Sequence, residues 1–167
     1  MSFSIMFWNV QGAASKYFRQ AFRTLVRSFN PTMNVLLEPC ISGSKADAFI
    51  KFSGFERSHR VEAAGFAGGI WLLWNCPYDV HIVWNHKYYI HFQVSKNNSF
   101  ISWITAVYAS PISSVRKQLW SNLEEITQKT RGPWLVRGDF NTILYASEKI
   151  GFFLGTRIQV SFINKPC

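Results

Sequence analysis

The sequence predicts a mixed α/β fold in a single domain spanning residues 1–167, and three observations support this prediction. A chain of 167 residues has the length of one domain rather than two. Apolar residues make up 48% of the chain, with 15 Phe, 7 Trp and 6 Tyr, which is enough material for a hydrophobic core. Stretches with helical spacing of apolar residues alternate with short runs rich in β-branched and aromatic residues, which are typical of strands.

Two strands and two helices are predicted before residue 55. The apolar run at residues 3–10 predicts a buried strand, and residues 33–37 predict a second strand that leads into Glu38. Between them, apolar residues fall on one face of a helix that ends before Pro31. This stripe consists of Phe18, Phe22, Leu25, Val26 and Phe29. A second helix, stopped by Gly54, is predicted from the spacing of Ala46, Phe49, Ile50 and Phe52.

The middle of the chain predicts a series of strands separated by turn residues. The runs are residues 70–74, 80–84, 88–94 and 100–108. Helical spacing then returns at residues 113–129, with Ser113 or Ser114 as the N-cap. A last clear strand is predicted at residues 133–136, leading to Asp139, whereas residues 156–164 fit either a helix or an extended segment.

The charge of the chain suggests a class of partner. The 18 Lys and Arg residues exceed the 9 Asp and Glu residues, which gives a formal net charge of +9. Such a surplus attracts polyanions, and nucleic acid, DNA in particular, is the first candidate partner. Alternatively, the positive charge only keeps an aromatic-rich protein in solution.

The cysteines and the N-terminus bear on the cellular compartment. Cys40, Cys76 and Cys167 are far apart in the sequence and form no C-x-x-C pair, which predicts free thiols in a reducing compartment. The N-terminus lacks a basic region, and its apolar run is too short for a signal peptide or a membrane span. A nuclear or cytosolic location is therefore expected by default.

Four polar residues follow the ends of predicted strands: Asn9, Glu38, Asp139 and Asn141. Carboxylates and amides at strand ends that open into loops are typical of sites built on a rigid sheet. Carboxylate and other oxygen ligands suit Mg²⁺, which keeps several of its waters. The alternative is that Asp139 and Asn141 cap turns and that Glu38 begins a helix.

Five sequence blocks occur in an order that resembles the endonuclease/exonuclease/phosphatase superfamily. They are Trp8-Asn9-Val10-Gln11-Gly12, Leu36-Leu37-Glu38-Pro39, Gly68-Gly69-Ile70-Trp71-Leu72-Leu73-Trp74, Ala106-Val107-Tyr108-Ala109-Ser110-Pro111 and Pro133-Trp134-Leu135-Val136-Arg137-Gly138-Asp139-Phe140-Asn141, followed by Glu148-Lys149. The wording of the blocks is most similar to the endonuclease domain of plant LINE-type (non-LTR) retrotransposons. The resemblance covers residues 7 to about 150.

The resemblance implies a four-layer α/β/β/α sandwich and a metal-dependent phosphodiesterase that nicks DNA. Glu38 would bind Mg²⁺ or Mn²⁺, with Asn9 helping to orient the metal ion or the phosphate. Tyr108 would donate its hydroxyl to a phosphate oxygen. Asp139 would position or deprotonate the attacking water, and Asn141 would hydrogen-bond the phosphoryl group. These roles suit the reaction, because hydrolysis requires neutralisation of charge on the phosphate and alignment of a water molecule.

The chain departs from the family pattern after these blocks. The later blocks of the family carry a further Asp and a Ser-Asp-His motif, which the sequence lacks. The four histidines do not match the family's histidine, and we expect them at the surface or satisfied in the core; they are His59, His81, His86 and His91. A C-terminally truncated domain, with an incomplete second sheet and little activity alone, is therefore expected.

Two alternatives remain open at this point. One is a catalytically inactive nucleic-acid-binding remnant. The other is a phosphatase or a lipid phosphodiesterase of the same superfamily, which the block wording and the lack of a hydrophobic membrane-docking loop disfavour.

Other basic and aromatic residues are weaker indications of a nucleic-acid surface. We interpret the basic face of the first helix (Lys16, Arg19, Arg23 and Arg27) as a solvated outer face rather than a phosphate-tracking stripe. Better placed near a nucleic-acid backbone would be Arg57, His59 and Arg60, in a predicted loop, and Arg137 beside Asp139. We expect core positions, rather than base stacking, for the strand tryptophans Trp71, Trp74, Trp84 and Trp103.

Overall fold

Helices cover the outer faces of two packed β-sheets in the computed structural model, which describes residues 3–64 and 68–142 and the backbone of residues 158–163. The elements in chain order are β1 (Phe3–Asn9), α1 (Lys16–Phe29), β2 (Met33–Leu37), α2 (Gly43–Ser53), β3 (Arg57–Val61), β4 (Ile70–Trp74), β5 (Tyr78–His86), β6 (Tyr89–Lys96), β7 (Ser99–Tyr108), α3 (Ser113–Lys129), β8 (Trp134–Asp139) and β9 (Ile158–Ile163).

The first sheet has the strand order β3-β4-β2-β1-β9, and the second has the order β5-β6-β7-β8. Only two of the described pairs are parallel: β1 with β2 in the first sheet and β7 with β8 in the second. The remaining pairs described are antiparallel. Each parallel pair encloses a helical crossover, which is α1 in the first sheet and α3 in the second.

Successive side chains of each strand point to opposite faces of its sheet, and this divides the core into separate layers. In β1, Ile5 and Phe7 face the second sheet, whereas Met6 and Trp8 face α1 and α2. A third apolar cluster joins α3 to the outer face of the second sheet through Leu119, Leu123 and Ile126. The three clusters lie between the layers helix, sheet, sheet and helix. The predicted four-layer α/β/β/α sandwich is thus confirmed, while the predicted truncation of its second sheet stays a prediction.

The first helix ends where its sequence predicts, and both of its ends are capped. The Ser15 hydroxyl accepts a hydrogen bond from the backbone N–H of Phe18 at 3.1 Å, so that Ser15 is the N-cap. At the other end, Asn30 adopts a left-handed conformation, and its N–H donates to the carbonyl of Val26 at 2.8 Å. Pro31 then follows at the predicted boundary.

Two local predictions need correction. The N-cap of α3 is Ile112 rather than Ser113 or Ser114, since the Ser110 hydroxyl accepts the Ile112 N–H and the turn there starts the helix one residue earlier. Residues 57–61, predicted as part of a loop, form β3 because their backbone pairs with the buried β4.

The described part of the ambiguous segment near the end of the chain is extended. Residues 158–163 form β9, which pairs antiparallel with β1 from Phe3 to Trp8. The predicted Glu148-Lys149 block lies outside the described residues. Of the three helices in the described part of the chain, none combines the length and hydropathy needed to cross a membrane.

Candidate functional site

The carboxyl ends of four strands meet on one side of the sandwich. Because β1 and β2 are parallel, Asn9 at the end of β1 lies beside Leu37, the residue before Glu38. Because β7 and β8 are parallel, Tyr108 lies beside Asp139 at their ends. The two pairs belong to different sheets, and contacts between β1 and β8 bring the pairs together.

A side-chain hydrogen bond between Asn9 and Asp139 joins the two sheets. The Asn9 Nδ2 donates to Asp139 Oδ2 at 2.6 Å, although the residues are 130 positions apart. The Asn9 amide cannot flip freely, because its Oδ1 accepts the backbone N–H of Gln11 at 3.2 Å. Asn9 is only 9% exposed, so its amide is oriented by the protein rather than by solvent.

Asp139 and Asn141 form a compact turn after β8. The Asn141 N–H donates to Asp139 Oδ1 at 2.8 Å, and the Asn141 side-chain nitrogen donates to the Ala109 carbonyl at 2.6 Å. The Ala109 N–H in turn donates to the Asp139 carbonyl at 2.7 Å. Both Asp139 carboxylate oxygens therefore accept a hydrogen bond from the protein. The predicted turn-capping interactions are present in addition to the clustering of the polar groups.

Tyr108 and Glu38 form the other half of the cluster. Burial is the main cause that raises the pKa of the Tyr108 phenol well above its usual range, and the charge of Glu38 and a hydrogen bond to its carboxylate raise it further. The phenol therefore stays protonated at neutral pH and can act as a hydrogen-bond donor. The Tyr108 side chain is 9% exposed at the end of a rigid strand.

The backbone of Glu38 is held from both sides in an unusual conformation. Its N–H donates to the Gly69 carbonyl at 3.0 Å, and its carbonyl accepts the Gly12 N–H at 2.9 Å. Its φ of 55° lies in the left-handed region, which a non-glycine residue rarely adopts. Glu38 does not begin a helix, because α2 starts only at Gly43.

The oxygen donors at this site are chemically suited to a divalent cation. Glu38 supplies a carboxylate, and Asn9 Oδ1 retains a lone pair beyond the one that accepts the Gln11 N–H. Mg²⁺ is bound by one or two carboxylates with waters completing its shell, so this sparse set fits Mg²⁺. In the described part of the chain, no group of three or more His, Cys, Asp or Glu residues is placed to hold a metal ion.

The histidines lie away from this cluster. His59 is on β3 and bonds Asn85 at 2.9 Å, whereas His81 and His86 are on β5, at the edge of the second sheet opposite β8. His91 is buried and bonds the Thr105 hydroxyl at 2.8 Å. Their positions agree with the expected surface and core roles.

The basic residues of β3 do not form the predicted loop near the nucleic-acid backbone. Arg57 pairs with Asp79, and Arg60 pairs with Asp47 at 2.7 Å and with Glu62 at 2.6 Å. Their strand is at the edge of the first sheet, separated from β1 by β4 and β2. The basic residues on β3 are thus paired with carboxylates at an edge of the first sheet, away from the cluster.

Cys40 is a neighbour of this cluster that the sequence pattern does not predict. Its thiol donates to the Glu38 carbonyl at 3.3 Å, and the pKa of Cys40 is raised, mainly by burial and then by the Glu38 charge. The sequence motif also contains Gly68 and Gly69, the two residues before β4. Gly69 has a φ of 96°, which residues other than glycine rarely adopt, and a Cβ there would lie 3.0 Å from the Pro39 ring.

Neither the family models nor the curated proteins include a match to this chain, but solved structures do. The endonuclease domain of TRAS1, a telomere-specific non-LTR retrotransposon, is similar with a TM-score of 0.64 and 13% identity, over 86% of this chain and 63% of that chain. TDP2 from Caenorhabditis elegans is similar with a TM-score of 0.59 and 14% identity, over 90% of this chain and 50% of that chain.

A third similar structure is the 3′ phosphatase NExo from Neisseria, in a substituted form bound to a product DNA hairpin, with a TM-score of 0.59 and 18% identity, over 84% of this chain and 58% of that chain. This chain shares the fold of these structures. The chain spans about half the length of the TDP2 structure.

Proposed function

We propose that this chain is a metal-dependent phosphodiesterase domain that cleaves DNA, of the type found in LINE retrotransposon endonucleases. The observation that carries the proposal is the 2.6 Å bond between Asn9 and Asp139, which unites two motif residues from different sheets. Glu38 and Tyr108 complete the same cluster. A site of this kind has the parts that phosphodiester hydrolysis requires.

Each side chain has a defined task in this proposal. Asp139, held by Asn9 and by the Asn141 N–H, orients the attacking water and accepts its proton. Tyr108, whose pKa is raised so that the phenol keeps its proton even in alkaline solution, donates to a phosphate oxygen. The Asn141 side-chain nitrogen keeps one hydrogen after bonding Ala109 and can donate it to the phosphoryl group.

Glu38 and Asn9 are the residues that would hold Mg²⁺ or Mn²⁺. When bound, such an ion neutralises the negative charge that develops on the phosphate oxygens. The position of Glu38 supports this role, since two backbone hydrogen bonds fix its main chain and its carboxylate is hydrogen-bonded to Tyr108.

Three further observations support DNA as the substrate class. The net charge of +9 favours a polyanion. Among the similar folds, one is a retrotransposon endonuclease domain and one was solved with a product DNA hairpin. The wording of the sequence blocks favours the plant LINE type over a phosphatase or a lipid phosphodiesterase.

A plasmid-nicking assay tests the proposal. Because little activity is expected of this chain alone, we expect it to convert supercoiled plasmid only slowly into nicked circles with Mg²⁺. We expect Glu38→Gln and Asp139→Asn each to lower that rate by roughly 10²-fold or more. Asp47→Asn is the matched control, because it also removes one carboxylate. The Asp47 side chain is 67% exposed, so its ion pair with Arg60 contributes little to stability. Equal nicking by wild type and both site variants would contradict the proposal.

A second candidate is a catalytically inactive nucleic-acid-binding module. The placement of the histidines favours it, because all four contribute to other parts of the fold and none joins Asp139. DNA binding that weakens with salt, without any Mg²⁺-dependent nicking, would favour this candidate over the enzyme.

A further inference from the structure

An exposed aromatic stack lies directly beside the proposed site. Trp120 on α3 stacks on Phe140 with ring centroids 5.6 Å apart and an interplanar angle of 2°. Phe140 is the residue between Asp139 and Asn141. Although one side of the indole is covered by this stack, 46% of Trp120 remains exposed, which is unusual for a tryptophan.

The stack is held rigidly relative to the proposed site. The Arg116 guanidinium on α3 donates to the carbonyls of Ser110 and Pro111 at 3.0 and 2.7 Å. The turn that contains Ser110 and Pro111 directly follows Tyr108, and Asn141 bonds its Ala109 carbonyl. The start of α3, the turn after β7 and the turn after β8 are therefore one connected unit.

The surface around Trp120 is apolar and basic. Ile112, the N-cap of α3, is 60% exposed, and Arg116 and Trp120 follow it at successive turns of the helix. Lys117 lies beside them and is exposed. In residues 3–64 and 68–142, no carboxylate lies within 4 Å of the Arg116 or Lys117 nitrogens. The first acidic residue of α3 is Glu124, one turn beyond Trp120.

We infer that this surface, formed by Ile112, Arg116, Lys117, Trp120 and Phe140 and here called the α3 platform, stacks an unpaired base of the DNA strand that enters the proposed site. The inference rests on the proposed function. Flat aromatic side chains bind any base through its π-face, and neighbouring cations attract the phosphates. A base on the free face of Trp120 would extend the Trp120–Phe140 stack by one ring, and Phe140, the residue after Asp139, joins that stack to the site through the chain.

DNA is favoured over a membrane surface as the occupant. The exposed apolar side chains of the platform are one tryptophan and one isoleucine, next to basic residues. Their apolar area is small for insertion into lipid. A lipid role is a distinct outcome of the test below.

The test measures binding without catalysis, using fluorescence anisotropy in EDTA with two labelled oligonucleotides. One is a blunt duplex, and the other is the same duplex with a single-stranded extension. We expect Trp120→Ala to weaken binding of the extended duplex roughly tenfold, while blunt duplex binding stays nearly unchanged and Trp120→Phe retains most of the affinity. The matched control is Phe29→Ala, which removes a similarly exposed aromatic side chain (44%) from the end of α1.

Lys117→Gln keeps the inference testable if Trp120→Ala impairs folding. We expect this variant to bind both oligonucleotides more weakly and to reduce the salt dependence by about one phosphate contact. The inference is wrong if the wild type binds the extended duplex and Trp120→Ala, shown to be folded by its thermal midpoint, binds it with the same affinity. That result would leave the proposed function standing.

Two other results would also overturn the inference. If the wild type binds neither oligonucleotide, the proposed function fails together with the platform. If Trp120 is instead required for binding to anionic phosphatidylserine vesicles and not for oligonucleotide binding, the occupant is a lipid surface.

Discussion

At the residue scale, His91 is a buried polar side chain whose partners are all neutral. Its ring stacks on Trp103 with centroids 5.3 Å apart and an interplanar angle of 6°. Its Nδ1 bonds the Thr105 hydroxyl, which also accepts the Trp134 indole N–H at 2.9 Å. Burial lowers the pKa of His91 to about 4, so the neutral ring is the folded form.

The lowered pKa of His91 predicts acid-sensitive stability. A histidine in the unfolded chain has a pKa of about 6.5, so the unfolded state binds more protons between that pH and about 4. The contribution of His91 is therefore complete above about pH 6.5 and is lost as the pH falls toward 4. Between about pH 7 and pH 5 we expect the wild type to lose about 2 kcal/mol more unfolding free energy than His91→Gln, measured by urea denaturation.

A second histidine variant serves as the control for this experiment. His81 is exposed on β5, and His81→Gln should keep the pH dependence of the wild type. Identical pH dependence in His91→Gln and the wild type would contradict the assignment.

At the element scale, the pairing of β7 with β8 requires a glycine. Gly138 lies beside Val107 in the parallel register and has a φ of 152°. A Cβ placed on Gly138 would lie 1.9 Å from the Val107 carbonyl oxygen, which is backbone and cannot move without disturbing the ladder. The residue that follows is Asp139, so the close approach of the two strands also sets the position of its side chain.

Gly138→Ala should therefore destabilise the protein strongly. We expect a loss on the order of 3 kcal/mol in the free energy of unfolding, because the strands must separate to admit the methyl group. Gly54→Ala is the control. Gly54 also has a positive φ, of 78°, but open space surrounds it, so this substitution should lower the free energy of unfolding by only about 1 kcal/mol. If urea denaturation gives the same loss of unfolding free energy for both variants, Gly138 does not lie as close to the Val107 carbonyl as described.

The elements were predictable where the sequence pattern is local. Helical spacing marked α1 and α3, and apolar runs marked β1, β2 and β4, because burial on one or both faces dictates those patterns. The strand β3 was not predictable, because its polar residues pair through the backbone with β4 and need no apolar pattern. Asn34 is an exception to the apolar pattern of β2. It is buried within that strand, and its side-chain amide has no hydrogen-bond partner among the described residues.

At the scale of the whole molecule, the site exists only because two sheets pack face to face. The strand ends carrying Asn9 and Glu38 belong to one sheet, and those carrying Tyr108 and Asp139 belong to the other. The sequence could predict that these residues end strands, and the ordered blocks predicted that they meet. The supporting bonds, such as that from Asn141 to the Ala109 carbonyl, were beyond prediction because they depend on the conformation of the turns. The chemical roles of the residues stay predictions.

The bond between Asn9 and Asp139 should couple the two sheets energetically. In a double-mutant cycle of Asn9→Ala and Asp139→Ala, we expect a coupling energy of about 1–3 kcal/mol, because a hydrogen bond to a charged group in a mostly buried position is strong. Comparing the four unfolding free energies separates this coupling from the relief of repulsion between Asp139 and Glu38, which acts in the Asp139 variants whether or not Asn9 is present. A cycle of Asn9→Ala with Thr127→Ala, on the last turns of α3, should be additive within about 0.5 kcal/mol. Additivity in the first cycle would mean that each sheet holds its half of the site independently, and the proposed catalytic arrangement would lose its main structural support.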